Sequence, residues 1–345
     1  MEIEDRPGAS AMVLAAGLGS RLRPLTTDLP KPCVPFLNEP LLFRSLRVIG
    51  NLGCDQVVVN TAYQSNVMKS ICETAPPEIP SVVLSVEESR LGTGGGVAHA
   101  ARYFTKNEPI LLVNGDVVSG MDLGLLLQTH RESKAWATLA VFRNRKFPDE
   151  LHKVVSDDVG RVLSIADVDS TRKHKGDPAF KAIYTGTMVM SPEFIASLPS
   201  EGEACLKEDG FWPGLLKGKD IRAVEMPAYW SDIGTPKRYL ETHKEWMLEP
   251  GFSPGEDYFP IEKHVFVHES AQVGVGVSFK GPALVGPNVV IGDHAQFEGM
   301  VCLGENCVVP ARTTLDHVVC WNGIQVPEGH HEFSVFWEGG TLSVK

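Results

Sequence analysis

Apolar positions along the first two thirds of the chain follow two alternating patterns. From Ala11 to about Met247, short runs rich in β-branched residues alternate with longer amphipathic runs. The short runs predict strands at residues 12–15, 56–60, 82–86, 110–113 and 138–142, and the longer runs predict helices at residues 41–52, 64–72, 96–104 and 123–133. Strands that alternate with helices are typical of βαβ units, so we predict an α/β domain with a Rossmann-like mixed, mostly parallel sheet.

The pattern changes after a stretch rich in proline and glycine at residues 249–261, which is typical of a linker. Beyond it, an aliphatic or aromatic residue recurs every six residues from Val267 to Trp321. A period this short predicts a β-solenoid, and the repeat resembles hexapeptide-repeat left-handed parallel β-helices of about three coils. The predicted organisation is a flexible tail at 1–10, the α/β domain at 11–248, a linker at 249–262, a short β-helix at 263–330 and a C-terminal tail at 331–345.

Amino-acid composition limits the binding partners and the cellular compartment that we expect for the protein. The 345 residues include 43 acidic and 32 basic side chains, which gives a formal net charge of −11. A surface with this balance does not favour binding to nucleic acid or to an anionic membrane. No apolar run is long enough for a transmembrane helix, and the acidic first residues do not resemble a secretory signal. The seven cysteines include no C-x-x-C pair, so we expect neither zinc nor disulfides and predict a reducing, cytoplasmic location.

A glycine-rich loop follows the first predicted strand and carries several cations. Gly17 and Gly19 allow the backbone to approach a phosphate closely, because glycine has no Cβ and accepts positive φ. Successive backbone N–H groups in such a turn bind anions. Arg21 and Arg23 follow with forks of donors that match phosphate oxygens, and Lys31 adds a positive charge between two prolines. The loop therefore predicts a site for a polyphosphate.

Two aspartates are candidate metal ligands. Asp116 belongs to the N-G-D sequence at 114–116, directly after the predicted strand at 110–113, and Asp232 belongs to the segment W-S-D-I-G-T-P at 230–236. Ligands of parallel sheets bind at the carboxyl ends of the strands. Mg²⁺ prefers one or two carboxylates together with waters and phosphate oxygens, which suits both aspartates. The alternatives are an ordinary Asn-Gly turn at 114–116 and a helix N-cap or turn at Asp232.

Three motifs of the sequence resemble those of the nucleotide-sugar pyrophosphorylases. They are G-L-G-S-R-L-R-P-L-T, then P-K-P-x-x-P, and later W-x-D-x-G-x-P. The resemblance implies an enzyme that joins a nucleoside triphosphate to a sugar 1-phosphate by in-line, Mg²⁺-dependent nucleotidyl transfer and releases pyrophosphate. It implies catalytic roles for Arg21, Lys31, Asp116 and Asp232, the last two as ligands of Mg²⁺. It also implies nucleotide contacts from Leu14, Ala15, Ala16, Gly17, Gly19, Ser20, Arg21, Glu87, Gly92, Thr93 and Gly94, and sugar-phosphate contacts from Asn114, Thr185 and Gly186.

The segment at 87–97, E-E-S-R-L-G-T-G-G-G-V, is a candidate to contact the base of the nucleotide. A glycine run that opens a helix is either an anion site or a packing turn against which a base lies flat. Glu87 is a candidate to accept hydrogen bonds from a guanine edge, with an exposed surface acid as the alternative. The motif resembles that of guanylyltransferases acting on mannose and heptose phosphates. The resemblance implies that the two substrates are GTP and such a sugar 1-phosphate. A uridylyl- or thymidylyltransferase acting on another sugar 1-phosphate is the alternative.

The chain departs from the family pattern at the sugar phosphate. Relatives usually carry a Glu-Lys-Pro triad before the Thr-Gly segment, and its lysine holds the sugar phosphate; this chain has no such triad there. Arg172, Lys173, Lys175 and Lys181 are candidate substitutes, although a lysine-rich loop is more often simply solvated. The alternative to a sugar contact for Thr185 is a structural role, in which its hydroxyl is hydrogen-bonded within a strand.

Two other functions compete with this hypothesis. A catalytically inactive subunit that senses nucleotide-sugars is disfavoured, because the four catalytic candidates are all present. An acyltransferase activity of the β-helix would need a basic residue such as His294 or His317, but a lone histidine on a coil is more often structural. A short solenoid leaves its end coils uncovered, and packing against another chain or against the catalytic domain would cover them. We expect a homo-oligomer formed through the β-helix.

Overall fold

The computed structural model describes residues 9–143, 153–166, 168–169 and 180–344. Contacts among these residues divide the chain into two compact units. The first contains the described chain up to Leu18, together with Pro30–Pro32 and Leu42–Trp230. The second contains Gly19–Leu29, Cys33–Leu41 and the described chain from Ser231 onward. Within the described ranges, no helix has the length and apolar character that crossing a membrane requires.

Strands and helices alternate through the first 247 residues. The strands are β1 Ser10–Leu14, β2 Pro35–Phe36, β3 Glu39–Pro40, β4 Gln56–Thr61, β5 Ser81–Val86, β6 Ile110–Asn114, β7 Val117–Ser119, β8 Ala137–Phe142, β9 Lys153–Ser156, β10 Val162–Ile165, β11 Val168–Asp169, β12 Phe180–Met190, β13 Ile221–Glu225 and β14 Trp230–Asp232. The helices are α1 Leu41–Gly50, α2 Ser65–Glu73, α3 Gly92–Ala100, α4 Leu123–Ser133, α5 Pro192–Ala196, α6 Trp212–Leu216 and α7 Pro236–Met247. Short 3₁₀ turns occur at Ser20–Leu22, Lys31–Cys33 and Ala101–Tyr103, and a π-helical segment at Leu206–Phe211.

Ten strands of the described chain form one mixed sheet in the first unit. Its main path runs β11-β10-β9-β12-β6-β1-β4-β5, and β8 pairs with both β12 and β13. The strands β6, β1, β4 and β5 are parallel, whereas β12 is antiparallel to β6, β8 and β9. The central strand β6 is buried over its four apolar residues, as expected for a parallel strand covered on both faces. The mixed, mostly parallel α/β fold class is confirmed.

The core of the first unit lies between this sheet and three helices. It includes Val97 of α3, Phe194 of α5 and Leu215 of α6, all at most 2% exposed, together with buried strand residues. Serine and aspartate side chains begin two of the helices: Asp122 accepts from the N–H of Leu125 at the start of α4, and Ser191 accepts from Phe194 at the start of α5. These caps fix where the helices leave the ends of the strands.

Helix α3 begins four residues earlier than the sequence pattern predicts. Glycine is a poor helix former, which disfavours a helix over Gly92, Gly94 and Gly95, and the predicted helix begins only at Gly96. In the structure the N–H groups of Gly94 and Gly95 both donate to the carbonyl of Ala204, at 2.8 and 3.2 Å. A Cβ on Gly95 would lie 2.8 Å from the carbonyl oxygen of Gly202. Close packing against this backbone overrides the low helix propensity of glycine.

The second unit contains the predicted parallel β-helix. Its strands are β15 Tyr258–Glu262, β16 Val265–His268, β17 Gln272–Val273, β18 Ser278–Phe279, β19 Ala283–Val285, β20 Val290–Ile291, β21 Gln296–Phe297, β22 Val301–Leu303, β23 Val308–Val309, β24 Thr314–Cys320, β25 His330–Trp337 and β26 Gly340–Ser343. The stacks β16-β19-β22, β17-β20-β23 and β18-β21-β24 are parallel. Residues eighteen apart pair, such as Ala283 with Val301, so three six-residue repeats make one coil, as the period predicts.

The two ends of the β-helix differ in how they are covered. At the C-terminal end, β25 pairs parallel with β24, and β26 returns antiparallel to β25. At the N-terminal end, the first coil exposes 42% of Val273 and 76% of Val275. Val273 lies on β17, the edge strand of its stack, and an unpaired strand edge is a surface that proteins usually cover or pair.

Stability in acid should depend on His130, which lies on α4 in the first unit. Its ring is 5% exposed, and Nδ1 lies 2.9 Å from the hydroxyl of Thr138. Burial, assisted by the nearby Arg131, lowers the pKa of His130 to about 4. Below pH 6.5 the unfolded chain binds a proton that the folded protein does not, so the free energy of unfolding falls as the pH decreases from about 6.5 to about 4, by about 3 kcal/mol in total.

Urea unfolding of the wild type and of His130→Gln at several pH values tests this effect. The variant lacks the ionisable ring, so its free energy of unfolding should decline less over the same interval. Equal slopes for the two proteins between pH 6.5 and 4 would show that His130 does not carry the effect.

Candidate functional site

The loop after β1, in the first unit, has backbone that is exposed to solvent at Gly17. The carbonyl of Leu14 accepts the N–H of Gly115 at 2.9 Å, and the N–H of Ala15 donates to Oδ1 of Asn60 at 2.7 Å. Ala16 is half-buried, and Gly17 is exposed; a Cβ on Gly17 would meet no described atom within 4 Å. The protein itself therefore holds the beginning of the loop, while the backbone at Gly17 is open to an approaching ligand.

Lys31 and Asp116 form an ion pair at the same edge of the sheet. Nζ of Lys31 lies 2.5 Å from Oδ2 of Asp116, with 9% of the lysine side chain and 32% of the aspartate side chain exposed. Asp116 follows β6, and the preceding Gly115 contacts the loop: a Cβ there would lie 3.0 Å from the carbonyl of Leu14 and 3.3 Å from Pro32. Residues 14–17, 30–32 and 114–116 therefore converge in the first unit.

The predicted sugar-phosphate residues divide into two environments. Gly186 has φ +82°, and a Cβ there would overlap the side-chain amide of Asn114, so these two residues pack against each other. Thr185 is 1% exposed, and its hydroxyl donates to the carbonyl of Ala140 at 2.8 Å. The carbonyl of Thr185 accepts the indole N–H of Trp230 at 3.0 Å. These contacts favour the structural alternative for Thr185.

Glu87 is an interior residue, so its interpretation as an exposed surface acid is wrong. It is 3% exposed; Oε1 accepts from Nδ2 of Asn60 at 2.7 Å and Oε2 accepts from the N–H of Leu91 at 3.2 Å. A buried carboxylate requires such partners. The glycine run that follows is a packing turn, because the N–H groups of Gly94 and Gly95 donate to Ala204.

The remaining residues of this turn differ in exposure. Gly92 has φ +70°, and a Cβ there would meet the backbone of Ala204. Thr93 is exposed, and its hydroxyl accepts the N–H of Leu206 at 3.0 Å. Gly92 is half-buried, so a ligand can reach both Gly92 and Thr93.

The second unit contains the other candidates. Gly19 adopts the left-handed conformation (φ 60°), and its carbonyl accepts from the N–H of Leu22 and the hydroxyl of Thr26, which fixes the 3₁₀ turn carrying Ser20 and Arg21. Both Ser20 and Arg21 are exposed. This turn presents the guanidinium of Arg21 to solvent.

Arg21 and Asp232 both lie close to Gly234. A Cβ on Gly234 would lie 3.0 Å from Oδ2 of Asp232 and 3.4 Å from a guanidinium nitrogen of Arg21. Asp232 does not cap α7: Thr235 is the N-cap, and its hydroxyl accepts the N–H of Arg238 at 3.2 Å. The N-cap interpretation of Asp232 is therefore wrong, and its carboxylate remains available to a cation.

The candidates for the missing phosphate-binding lysine are mostly outside the described residues. Arg172, Lys173 and Lys175 lie there, whereas Lys181 is exposed on β12. His317 in the β-helix has structural partners: Nδ1 lies 2.6 Å from Asp316, and the ring stacks on Phe333 with the centroids 4.8 Å apart.

Two further residues, one in each unit, contact candidate residues and were not predicted. Asn60 lies at the end of β4 and contacts both Ala15 and Glu87. Its signal was a polar residue that ends the apolar run V-V-V of a buried strand. Gly234 makes room for Arg21 and Asp232, and its signal was its place in the W-x-D-x-G-x-P motif.

A divalent cation fits the chemistry of the two aspartates. Carboxylate oxygens are ligands that Mg²⁺ prefers, and Asp116 has one oxygen paired with Lys31 and a side chain that is one-third exposed. Among the described residues, no group of three or more histidine, cysteine, aspartate or glutamate side chains could hold a metal. Mg²⁺ accepts a single carboxylate together with water and phosphate oxygens, so each aspartate, taken by itself, has suitable ligand chemistry.

Comparisons with known proteins give similarity over most of the chain. A model of the nucleotidyl transferase family matches residues 10–247. A mannose-1-phosphate guanylyltransferase of Mycobacterium tuberculosis is 31% identical over 321 residues, which covers 92% of this chain and 81% of the relative. A UTP–glucose-1-phosphate uridylyltransferase of Synechocystis sp. is 27% identical over 314 residues, 81% of this chain and 79% of the relative.

Similarity among solved structures concerns the fold. The crystal structure of HddC from Yersinia pseudotuberculosis complexed with GMP-PN matches with a TM-score of 0.57 and 23% sequence identity. The match covers 69% of this chain and 99% of that chain.

Proposed function

Because the chain belongs to the nucleotidyl transferase family, we propose that it transfers the guanylyl group of GTP to a mannose- or heptose-type sugar 1-phosphate and releases pyrophosphate. It is an enzyme of the sugar-1-phosphate nucleotidyltransferase class. The observation that carries the assignment of the site is the convergence of the open loop at Gly17 with Lys31 and Asp116 at the carboxyl ends of β1 and β6.

In the proposed reaction, an oxygen of the sugar phosphate attacks the α-phosphorus of the triphosphate. The bond between the α-phosphorus and the oxygen bridging to the β-phosphate breaks, and pyrophosphate leaves on the opposite side. Such a reaction needs positioning and charge neutralisation more than covalent chemistry. Open backbone at Gly17 supports close approach of a phosphate, and the buried stem of Lys31 supports a fixed position for its ammonium group.

Further residues are proposed to act in the same step. Arg21 is proposed to neutralise charge on the departing phosphates, which its exposed, fork-shaped guanidinium suits. Asp116 and Asp232 are proposed to hold Mg²⁺. When bound, this cation would neutralise phosphate oxygens and orient the triphosphate. Asn114 and Gly186 are proposed to contact the sugar phosphate, supported by their mutual packing.

The choice of GTP and of a mannose-type sugar rests on relatives. The 31% identical relative bears the name mannose-1-phosphate guanylyltransferase, and the motif at 87–97 resembles that of guanylyltransferases. The relative named UTP–glucose-1-phosphate uridylyltransferase favours a second candidate, transfer of a uridylyl group.

A matrix of substrates tests these proposals. The protein is incubated with Mg²⁺, each common nucleoside triphosphate and each of a panel of sugar 1-phosphates, and pyrophosphate is measured. We expect one strong combination, containing GTP and mannose 1-phosphate or a heptose 1-phosphate. A strong combination with UTP would replace the guanylyl assignment. No release in any combination, together with tight binding of a nucleotide-sugar, would replace the catalytic proposal with a sensing subunit.

Assembly and location also remain proposals. Exposed Val273 and Val275 on the first coil support a homo-oligomer formed through the β-helix. A reducing, cytoplasmic location is proposed from the cysteine pattern of the sequence alone.

A further inference from the structure

A buried chain of three hydrogen bonds connects the two loops assigned to the nucleotide. The N–H of Ala15 donates to Oδ1 of Asn60 at 2.7 Å, and Nδ2 of Asn60 donates to Oε1 of Glu87 at 2.7 Å. Oε2 of Glu87 accepts the N–H of Leu91 at 3.2 Å. Asn60 is 1% and Glu87 is 3% exposed. Neither Asn60 nor its contact with Glu87 follows from any motif in the sequence.

Neighbouring parallel strands bring these residues together. In the sheet β1 pairs with β4, and β4 pairs with β5. Ala15 follows β1, Asn60 is near the end of β4, and Glu87 follows β5 with its N–H bonded to the carbonyl of Thr61 at 2.8 Å. All three therefore lie at the carboxyl edge of the sheet, one strand apart.

The two ends of this series of hydrogen bonds determine which group must donate and which must accept. The N–H groups of Ala15 and Leu91 can only donate, so each end of the chain requires an acceptor. An amide and a carboxylate in series satisfy this requirement: the amide oxygen faces Ala15, the amide nitrogen faces Glu87, and the second carboxylate oxygen faces Leu91. Two amides or two carboxylates in series would leave one contact without a donor–acceptor match.

Gly96 of α3 packs against the middle of this chain. A Cβ on Gly96 would lie 2.8 Å from Nδ2 of Asn60 and 2.8 Å from Oε1 of Glu87. The carboxylate is therefore enclosed by protein, and both of its oxygens are engaged. A base edge cannot reach Glu87 in this arrangement.

We propose that Asn60 and Glu87 are positioning residues that fix the loop at 14–17 relative to the segment at 91–94, and that Glu87 does not contact the base. The proposal rests on the function proposed above, in which both segments bind the nucleotide. Loops held in their binding conformation before the ligand arrives bind it more tightly, because less conformational freedom is lost on binding. The pair then sets affinity for any nucleoside triphosphate rather than the choice of base.

Exchanging the two functional groups provides a test that keeps every hydrogen bond. In the double variant Asn60→Asp/Glu87→Gln, the new carboxylate accepts from Ala15 and from the new amide, and the oxygen of that amide accepts from Leu91. Glu87→Gln alone loses one donor–acceptor match, and Asn60→Asp alone places two carboxylates against each other. GTP affinity is measured by calorimetry at a temperature at which circular dichroism shows each variant to be folded.

We expect Glu87→Gln to weaken GTP binding about tenfold, because a buried polar group loses its partner, and UTP binding to weaken by the same factor. The double variant should return to within about threefold of the wild type. Because Glu87→Gln is the mildest change, its comparison with the double variant stands even if Asn60→Asp does not fold. Ser85→Ala is the matched control: Ser85 is buried on β5, its hydroxyl has no hydrogen-bond partner among the described residues, and its removal should leave affinity unchanged.

The outcomes separate this inference from the proposed function. If the wild type binds no nucleoside triphosphate, the proposed function fails and the inference with it. If the wild type binds GTP but Glu87→Gln binds it equally well, the inference alone fails. A double variant no better than Glu87→Gln, or a loss of affinity confined to GTP, would also overturn it, the latter in favour of direct contact with the base.

Discussion

Replacing Asp116, a proposed ligand of Mg²⁺, by asparagine should lower the rate of pyrophosphate formation by a factor on the order of 10²–10³ or more, while the protein stays folded. Loss of one charged group that holds a cation against the phosphates removes stabilisation that is largest in the transition state. The amide keeps an oxygen that can accept from Nζ of Lys31, which lies 2.5 Å from Asp116 and is 7% exposed. Asparagine therefore separates catalysis from the cost of a buried, unpaired lysine that alanine would cause.

The measurement is the initial rate at saturating substrates and Mg²⁺, with the melting temperature recorded for each protein. Glu132→Gln is the control, since Glu132 is an exposed acid on α4 that bonds to Gln128 and lies outside the proposed site. The control should keep the wild-type rate. Unchanged turnover by Asp116→Asn would contradict the metal assignment.

Replacing Phe297 by alanine should lower the free energy of unfolding of the β-helix by about 3–5 kcal/mol. Phe297 is fully buried on β21 and packs edge-to-face on Phe279, with the ring centroids 4.9 Å apart. Removing the ring leaves a cavity inside a coil that has few other large side chains to collapse into it. Urea unfolding measures the change.

Phe259→Ala is the matched control for this prediction. Phe259 is the same residue type on β15 of the same unit, but it is 53% exposed. Its removal should change the free energy of unfolding far less than removal of Phe297. Equal losses for the two variants would mean that the interior of the β-helix is not packed around Phe297.

Much of the fold follows from local patterns. The bounds of α4 match the prediction, because an amphipathic run there begins directly after the capping Asp122. The six-residue period predicts the coils, since every third repeat must return to the same face of the β-helix. The strands at 330–343 carry no such period, because β25 covers the last coil and β26 folds back on it. Their formation depends on the finished surface of the last coil.

The chemistry of the site was easier to predict than its internal contacts. The motifs indicate Lys31 and Asp116, and the structure pairs them; Arg21 and Asp232 both lie beside Gly234. The burial of Glu87 and Thr185 cannot be predicted from the sequence, because the residue type alone does not show whether a glutamate or threonine lies at the surface or in the interior. Their hydrogen bonds to Asn60 and Ala140 join residues that are 27 and 45 positions apart. Only the arrangement of the strands reveals such partners.

The early start of α3 has a similar cause. Three consecutive glycines argue against a helix locally, yet the carbonyl of Ala204, more than a hundred residues away, accepts two of their N–H groups. Tertiary contacts of this kind override local propensity.

The most direct test of the central claim follows all the phosphorus atoms of one reaction. GTP, Mg²⁺ and the protein are mixed with mannose 1-phosphate in one sample and with a heptose 1-phosphate in another. Phosphorus-31 NMR records the products, and a parallel mixture lacks any sugar phosphate. The account predicts equal amounts of pyrophosphate and of a nucleoside diphosphate sugar in one of the two samples, and no change in the parallel mixture. Unaltered GTP in all the mixtures, or release of inorganic phosphate without a nucleotide-sugar, would contradict it.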